Sequence, residues 1–350
     1  MVYSYDTLKA YVPQAVEVLL DSVRNPLFLQ EEVDRQLALA REDVQDMQKN
    51  PERFLQEVLN IVGYEGAIAN PLICPEEALG TINADIIKKF YHENFTADRL
   101  VLAASGVDHQ HLLDVAEPLM SDWHKGSPME TPKSTYTGGD FRHAAESDMT
   151  HVALAFEVPG GWLQERDVTI MTVIQTLMGG GGSFSSGGPG KGMHSRLYLR
   201  VLTKYHDVQA FSAFSSVYDT SGLFGIYLTT PPDFVAKAVD VAIKELIAIA
   251  TPGQVTEIEL TRAKNSTISS VLMNLESRVI VAEDIGRQLL TYGCRKPIDY
   301  FLKCMDELTI DDVTAFAKKL LSSQPTMASY GDVDKVPPYE FVSKRFQAFR

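Results

Sequence analysis

The sequence lacks the features that mark a membrane-spanning, disulfide-stapled or nucleic-acid-binding chain. It has no run of about 18 apolar residues, so no segment reads as a transmembrane helix. Its most apolar stretch, 234–250, is broken by Lys237, Asp240, Lys244 and Glu245 and reads as a packed amphipathic helix. Cysteine is scarce: Cys74, Cys294 and Cys304 are the three in 350 residues. They form neither a C-x-x-C pair nor a metal spacing, which fits a reducing compartment such as cytosol or mitochondrial matrix. Positive charge is short as well, with 32 Lys and Arg against 46 Asp and Glu, a net charge of −14. That balance excludes nucleic-acid binding by bulk charge and suits basic ligands, or simply solubility. The opening residues, MVYSYDTLKA, carry neither the apolar core of a signal peptide nor the arginines of a transit peptide.

Catalytic signatures are missing too. Neither H-E-x-x-H nor H-x-x-E-H occurs, so no helix presents two imidazoles and a general base on one face. His92-Glu93 has no second histidine in register, and His109 and His111 suit neither motif; all three read as surface residues. No G-x-S-x-G nucleophile turn appears. A Walker A loop fails because Gly192 follows Gly190-Lys191 and Ser185 stands where its first glycine belongs. The dinucleotide pattern fails at Met193, which disfavours a nucleotide-binding protein.

What is present, first, is an internal repeat. Residues 3–49 align with 227–272: Tyr3 falls on Tyr227, Ala15-Val16-Glu17-Val18 on Ala238-Val239-Asp240-Val241, Leu37 on Leu260 and Arg41 on Lys264. Further on, Ala84-Asp85-Ile86 aligns with Asp311-Asp312-Val313, and Gly106-Val107-Asp108 with Gly331-Asp332-Val333. In the second copy, 151–158 alternates as a half-buried strand and 166–178 has helical spacing. Two strands, 208–217 and 223–229, are joined by the turn Asp219-Thr220-Ser221-Gly222. Helices then start near Pro232, Thr256, Val279 and Asp311, and a strand at 327–330 closes the sheet. Strands and helices in runs, not in strict alternation, give an α+β class. The expected organisation is a first repeat over 1–130 and a complete second repeat over 140–350, joined across the Gly, Ser, Pro and Thr-rich stretch 125–139. The first copy starts at what aligns with the tail of a third strand, so about 75 residues of a full repeat have no counterpart in it. Its remnant is expected as a strand stub at Val2–Tyr5, a run of helices and a strand at Leu100–Ala104, with Leu19, Val23 and Leu37 left more exposed than their partners in the second copy.

Second is the stretch 179–192, GGGGSFSSGGPGKG, between two helices. Glycine leaves backbone amides approachable, and so dense a run is costly to order. It reads either as a ligand-contacting loop or as a flexible linker. Third, Glu257, Glu259, Glu276, Glu283 and Asp284 follow it in helical sequence. They read either as partners for arginines of a peptide or as a solvated face paired with Arg262, Arg278 and Arg287.

The stretches GGGGSFSSGGPGKGMHSRLYLRVL and MNLESRVIVAEDIGRQLLTYG resemble the alpha subunits of mitochondrial processing peptidases, within the pitrilysin-type metallopeptidases. The resemblance covers essentially the whole chain and is to plant members. It implies two homologous pitrilysin-type domains, each a mixed sheet packed with helices, the first incomplete at its N-terminus. It implies a non-catalytic subunit on the matrix side of the mitochondrial inner membrane that binds basic presequence peptides, with zinc held by a partner beta subunit that cleaves them. In plants it also implies a core subunit of respiratory complex III. The substrate-binding residues it implies are Gly180, Gly181, Gly182, Ser183, Phe184, Gly187, Gly188, Lys191 and Met193 of the loop, with Glu259, Glu283 and Asp284. Glu42 falls where active relatives keep a third zinc ligand, but Arg35 replaces a further glutamate on that helix, so no metal site is expected in this chain.

Overall fold

The computed structural model describes residues 1–126, 132–180 and 193–350. In chain order the first helices are α1 (Val12–Arg24), α2 (Gln30–Gln48) and α3 (Pro51–Gly63), then β1 (Tyr64–Glu65), α4 (Glu76–Leu79), α5 (Ala84–Asn94) and α6 (His109–Met120). After them come β2 (Thr135–Tyr136), β3 (Gly139–Ala144), β4 (Thr150–Glu157), α7 (Glu165–Met178), β5 (Ala210–Val217) and β6 (Gly222–Thr230). The chain ends with α8 (Val235–Ile249), α9 (Glu257–Asn274), α10 (Arg278–Tyr292), α11 (Ile298–Asp306), α12 (Ile310–Leu321), β7 (Thr326–Gly331) and α13 (Tyr339–Lys344). These elements form two compact units.

The larger unit comprises Asp46–Ile73, Pro132–Ser270 and Pro297–Arg350. Its centre is a five-stranded sheet in the order β3-β7-β4-β6-β5. β3 runs parallel to β7, and every other pairing is antiparallel. Side chains alternate across a strand with a period of two, and here both faces are covered. Val152, Leu154 and Phe156 of β4, with Phe224, Ile226 and Leu228 of β6, point into a core built with α7, α8 and α12. The intervening residues, Ala153, Ala155, Leu223 and Tyr227, meet Leu55, Val58 and Leu59 of α3 and Tyr64 of β1 on the other face. That double burial explains why β6 has no exposed residue and why small alanines sit under α3. The Tyr64 hydroxyl fixes this cover by donating to the Gly222 carbonyl at 2.8 Å, with Ser221 Oγ at 3.0 Å.

The smaller unit comprises Met1–Gln45, the described residues 74–126, and Val271–Lys296. Its described residues contain no strand. Val12, Val16, Leu20 and Val23 recur at helical spacing on α1 and pack on Ala116 of α6 and on Trp123. The Trp123 indole donates to the Phe95 carbonyl at 3.1 Å, and the Tyr91 hydroxyl to the Val23 carbonyl at 2.7 Å.

Compactness does not follow the two sequence copies residue for residue. Asp46–Ile73 joins the sheet unit, and Val271–Lys296 joins the helical one. Both strands expected in the first copy, Val2–Tyr5 and Leu100–Ala104, are irregular backbone. An isolated extended segment has no ladder partner for its amides and carbonyls, so its pattern alone cannot make it a strand. The expected excess exposure holds for Leu19 and Leu37, which are half-buried where Ala242 and Leu260 are buried. For Val23 the excess is small, 8% against 0% for Leu246, because α6 and Trp123 cover it.

Candidate functional site

The glycine-rich stretch is described only at its two ends. Gly181, Gly182, Ser183, Phe184, Gly187, Gly188 and Lys191 lie outside the described residues. At the near end, Gly179 closes α7 with a φ of +121°, a backbone region that L side chains avoid. A Cβ there would stand 2.7 Å from Ser195 Oγ. Gly180 donates to the Gln175 carbonyl at 2.8 Å and lies against the Ala213 carbonyl, with no room for a side chain. The close approach of Gly179 to Ser195 brings the two roots of the stretch together. Met193, at the far root, is exposed.

The far root leads into a short helical segment that widens to a π-turn over Tyr198–Leu202, in which the Thr203 amide donates to the Tyr198 carbonyl at 3.0 Å. Such wide turns recur at functional sites because they redirect side chains. Here the segment carries Arg196 inward and Arg200 to its edge. Arg196 is 1% exposed by side chain. Its Nη1 donates to the Gln254 carbonyl at 2.9 Å and to Glu259 Oε1 at 3.0 Å. Its Nε and Nη2 make no hydrogen bond, with Glu245 Oε2 3.6 Å from Nη2. Burial works against the charged guanidinium and lowers its pKa, partly offset by the carboxylates of Glu259 and Glu245.

Glu259 is therefore engaged on both oxygens. Oε2 accepts from the Thr256 amide at 2.8 Å and the Thr256 hydroxyl at 3.0 Å, while Thr256 Oγ1 accepts from the Glu259 amide at 3.2 Å. This reciprocal pair caps α9 and uses the orphan donors of its first turn. The sequence signal was legible, since Thr256 precedes Glu259 by three residues at a helix start. The partner arginine was not, being far along the chain.

Glu283 and Asp284 lie in the helical unit, on α10, whose residues are all at least partly exposed. Glu283 is half exposed, with Arg287 one turn on at 3.9 Å. Asp284 accepts from Gln288 Nε2 at 3.0 and 2.9 Å and has Arg295 at 3.9 Å. Of the arginines considered as local partners, Arg287 pairs with Glu283, whereas Arg278 lies beside Gly106. Arg35 and Glu42 are both exposed on α2.

The family profile described as "Peptidase M16 inactive domain" matches residues 81–267, and "Insulinase (Peptidase family M16)" matches residues 1–76. The Solanum tuberosum protein named mitochondrial-processing peptidase subunit alpha is 54% identical over 348 residues, spanning 99% of this chain and 69% of its own length. The Arabidopsis thaliana protein named probable mitochondrial-processing peptidase subunit alpha-1 is 54% identical over 347 residues, with the same coverage of each. Among solved structures, a chain of Complex III2 from Candida albicans shares the fold with a TM-score of 0.79 at 15% identity, over 97% of this chain and 81% of that one.

Proposed function

The chain belongs to the M16 peptidase family, in its group of mitochondrial-processing peptidase alpha subunits, and from that membership we propose that it is a non-catalytic subunit that recognises basic presequence peptides. The observation that carries this reading is 54% identity across 99% of the chain to a protein named as such an alpha subunit. The sequence supports it by lacking both paired-histidine motifs, so cleavage falls to a partner beta subunit that holds zinc. Its place is mitochondrial, on the matrix side of the inner membrane.

In this reading the peptide's backbone meets the glycine stretch from Gly180 to Met193. Its arginines meet carboxylates of an acidic chain. Glu283 is the most accessible of the three acids, with half its side chain exposed and one distant arginine beside it. Glu259 contributes by holding Arg196, and so the far root of the stretch, in place. The test is titration of a labelled presequence peptide into the purified chain, with and without the beta subunit. Saturable binding that weakens with salt, with cleavage confined to the mixture, is the expected result. Cleavage by this chain alone, or one tightly bound zinc per chain, would overturn it.

The second reading is a structural core subunit of complex III, favoured by the fold shared with a chain of that complex. Co-migration with cytochromes on a native gel, without presequence binding, would select it.

A further inference from the structure

A cleft of about 220 Å³ opens in the larger unit between the π-turn and α8, lined by Arg200, Lys204, Tyr205, Val241, Lys244 and Glu245. Three cations around one carboxylate is a local inversion in a chain of net charge −14. The inversion persists when their ion-pair partners are included. Asp240 holds Lys244 at 2.8 Å and Arg345 at 2.9 Å. Glu259 and Glu245 share Arg196 and Arg200. Five cations thus stand against three carboxylates, and Lys204 has no ion-pair partner among the described residues. The surplus is two positive charges, gathered at the cleft.

We propose that this cleft binds monohydrogen phosphate, the dianion of inorganic phosphate that still carries one proton. A dianion matches the charge surplus, and Arg200, Lys204 and Lys244 offer charge-assisted donors to tetrahedral oxygens. Glu245 decides among anions. It lines the same cleft with its side chain 14% exposed; Oε2 is buried toward the guanidinium nitrogens at 3.6 and 3.9 Å, which leaves Oε1 as the oxygen that meets the cleft. It therefore retains negative character that repels an anion made only of acceptors. Monohydrogen phosphate carries an O–H that can donate to a carboxylate; sulfate at neutral pH carries none. The cleft thus selects phosphate over sulfate. This inference is separate from the peptide-recognition reading, since it rests on Arg200, Lys204, Lys244 and Glu245 alone.

The test is titration of the full chain with sodium phosphate, sodium sulfate and glycerol 3-phosphate at constant ionic strength, followed by calorimetry. Phosphate binding at least about tenfold tighter than sulfate is expected, the ratio one hydrogen bond to a charged group supports. Above neutral pH the phosphate of glycerol 3-phosphate is a dianion without a proton, so the ester should bind more weakly than inorganic phosphate; tighter binding of the ester overturns the proposal. Lys204→Gln, at an exposed position, should weaken phosphate binding several-fold at an unchanged melting temperature. Glu245→Gln should abolish the preference, bringing sulfate and phosphate together. Equal binding of sulfate and phosphate by the unaltered chain, or affinity untouched by Lys204→Gln, overturns the proposal.

Discussion

At the scale of single residues, burial separates acids that read alike in the sequence. Glu259 and Glu283 are both glutamates in helices after the glycine stretch, yet one is bonded on both oxygens and the other is half free. Glu259→Gln should cost about 1–3 kcal/mol in urea unfolding, because it removes a charged acceptor from the buried Arg196. Glu283→Gln should leave stability within about 0.5 kcal/mol and instead flatten the salt dependence of presequence binding. An unchanged salt slope would place Glu283 among solvated surface charges. His151 supplies a pH prediction. Its ring lies 2.7 Å from the Tyr227 hydroxyl and 3.1 Å from Thr229 Oγ1, and burial lowers its pKa below the ordinary 6.5. The fold therefore favours the neutral ring. Its contribution to stability is complete above about pH 6.5 and declines as pH falls through the folded value. Subtracting the stability profile of His151→Gln from that of the parent should give a difference that shrinks below pH 6.5; a difference flat from pH 7.5 to 5 would refute the assignment.

At the scale of elements, local pattern was a good guide wherever the chain could satisfy itself. The alternation at 151–158 became β4 over Thr150–Glu157, and the helical spacing at 166–178 became α7 over Glu165–Met178. β3 escaped notice because Gly139, Asp140 and Arg142 dilute its alternation; parallel pairing with β7 makes it a strand. The place of α3 was equally hidden. Its apolar stripe is plain, but nothing in a stripe says which sheet it will cover, and it covers the sheet of the second copy. The candidate site divides the same way: motif and cap were readable, whereas the Arg196 bond to Glu259 depends on chain segments 63 residues apart. Leu59→Ala tests the role of α3. Leu59 is fully buried against the sheet, so its truncation should cost about 2–5 kcal/mol in a single cooperative transition. Loss of α3 signal in a separate, earlier transition would mean that it does not belong to the sheet's core. Shortening the glycine stretch between Gly182 and Gly188 should leave that transition in place while weakening peptide binding, as thermal melting and peptide titration on one sample would show. Peptide affinity unaffected by the deletion would leave the linker reading.

At the scale of the whole molecule, the two units differ in how well they bury their own apolar surface. The larger has a double-faced sheet, with Val152, Leu154, Phe156, Phe224 and Ile226 all at 1% exposure or less. The smaller has α1 packed on α6 but leaves Leu27 at 78%, Leu29 at 50%, Phe90 at 51% and Leu290 at 62% exposure. Large apolar side chains scattered singly are ordinary on a soluble surface; so many in one small helical unit are what an interface presents before it is covered. Among the described residues the unit's own elements leave these side chains in water, and they suit the surface that the beta subunit proposed above would cover. The purified chain alone should therefore enhance the fluorescence of a hydrophobic dye and sediment as larger species with rising concentration. Replacing Leu27 and Phe90 together by lysine should reduce both effects without lowering the melting temperature of the sheet unit, because neither residue is in its core. Addition of the beta subunit should suppress dye binding in the parent chain. Dye binding that the beta subunit leaves unchanged would show that these residues face solvent in the assembly and that the family interface lies elsewhere.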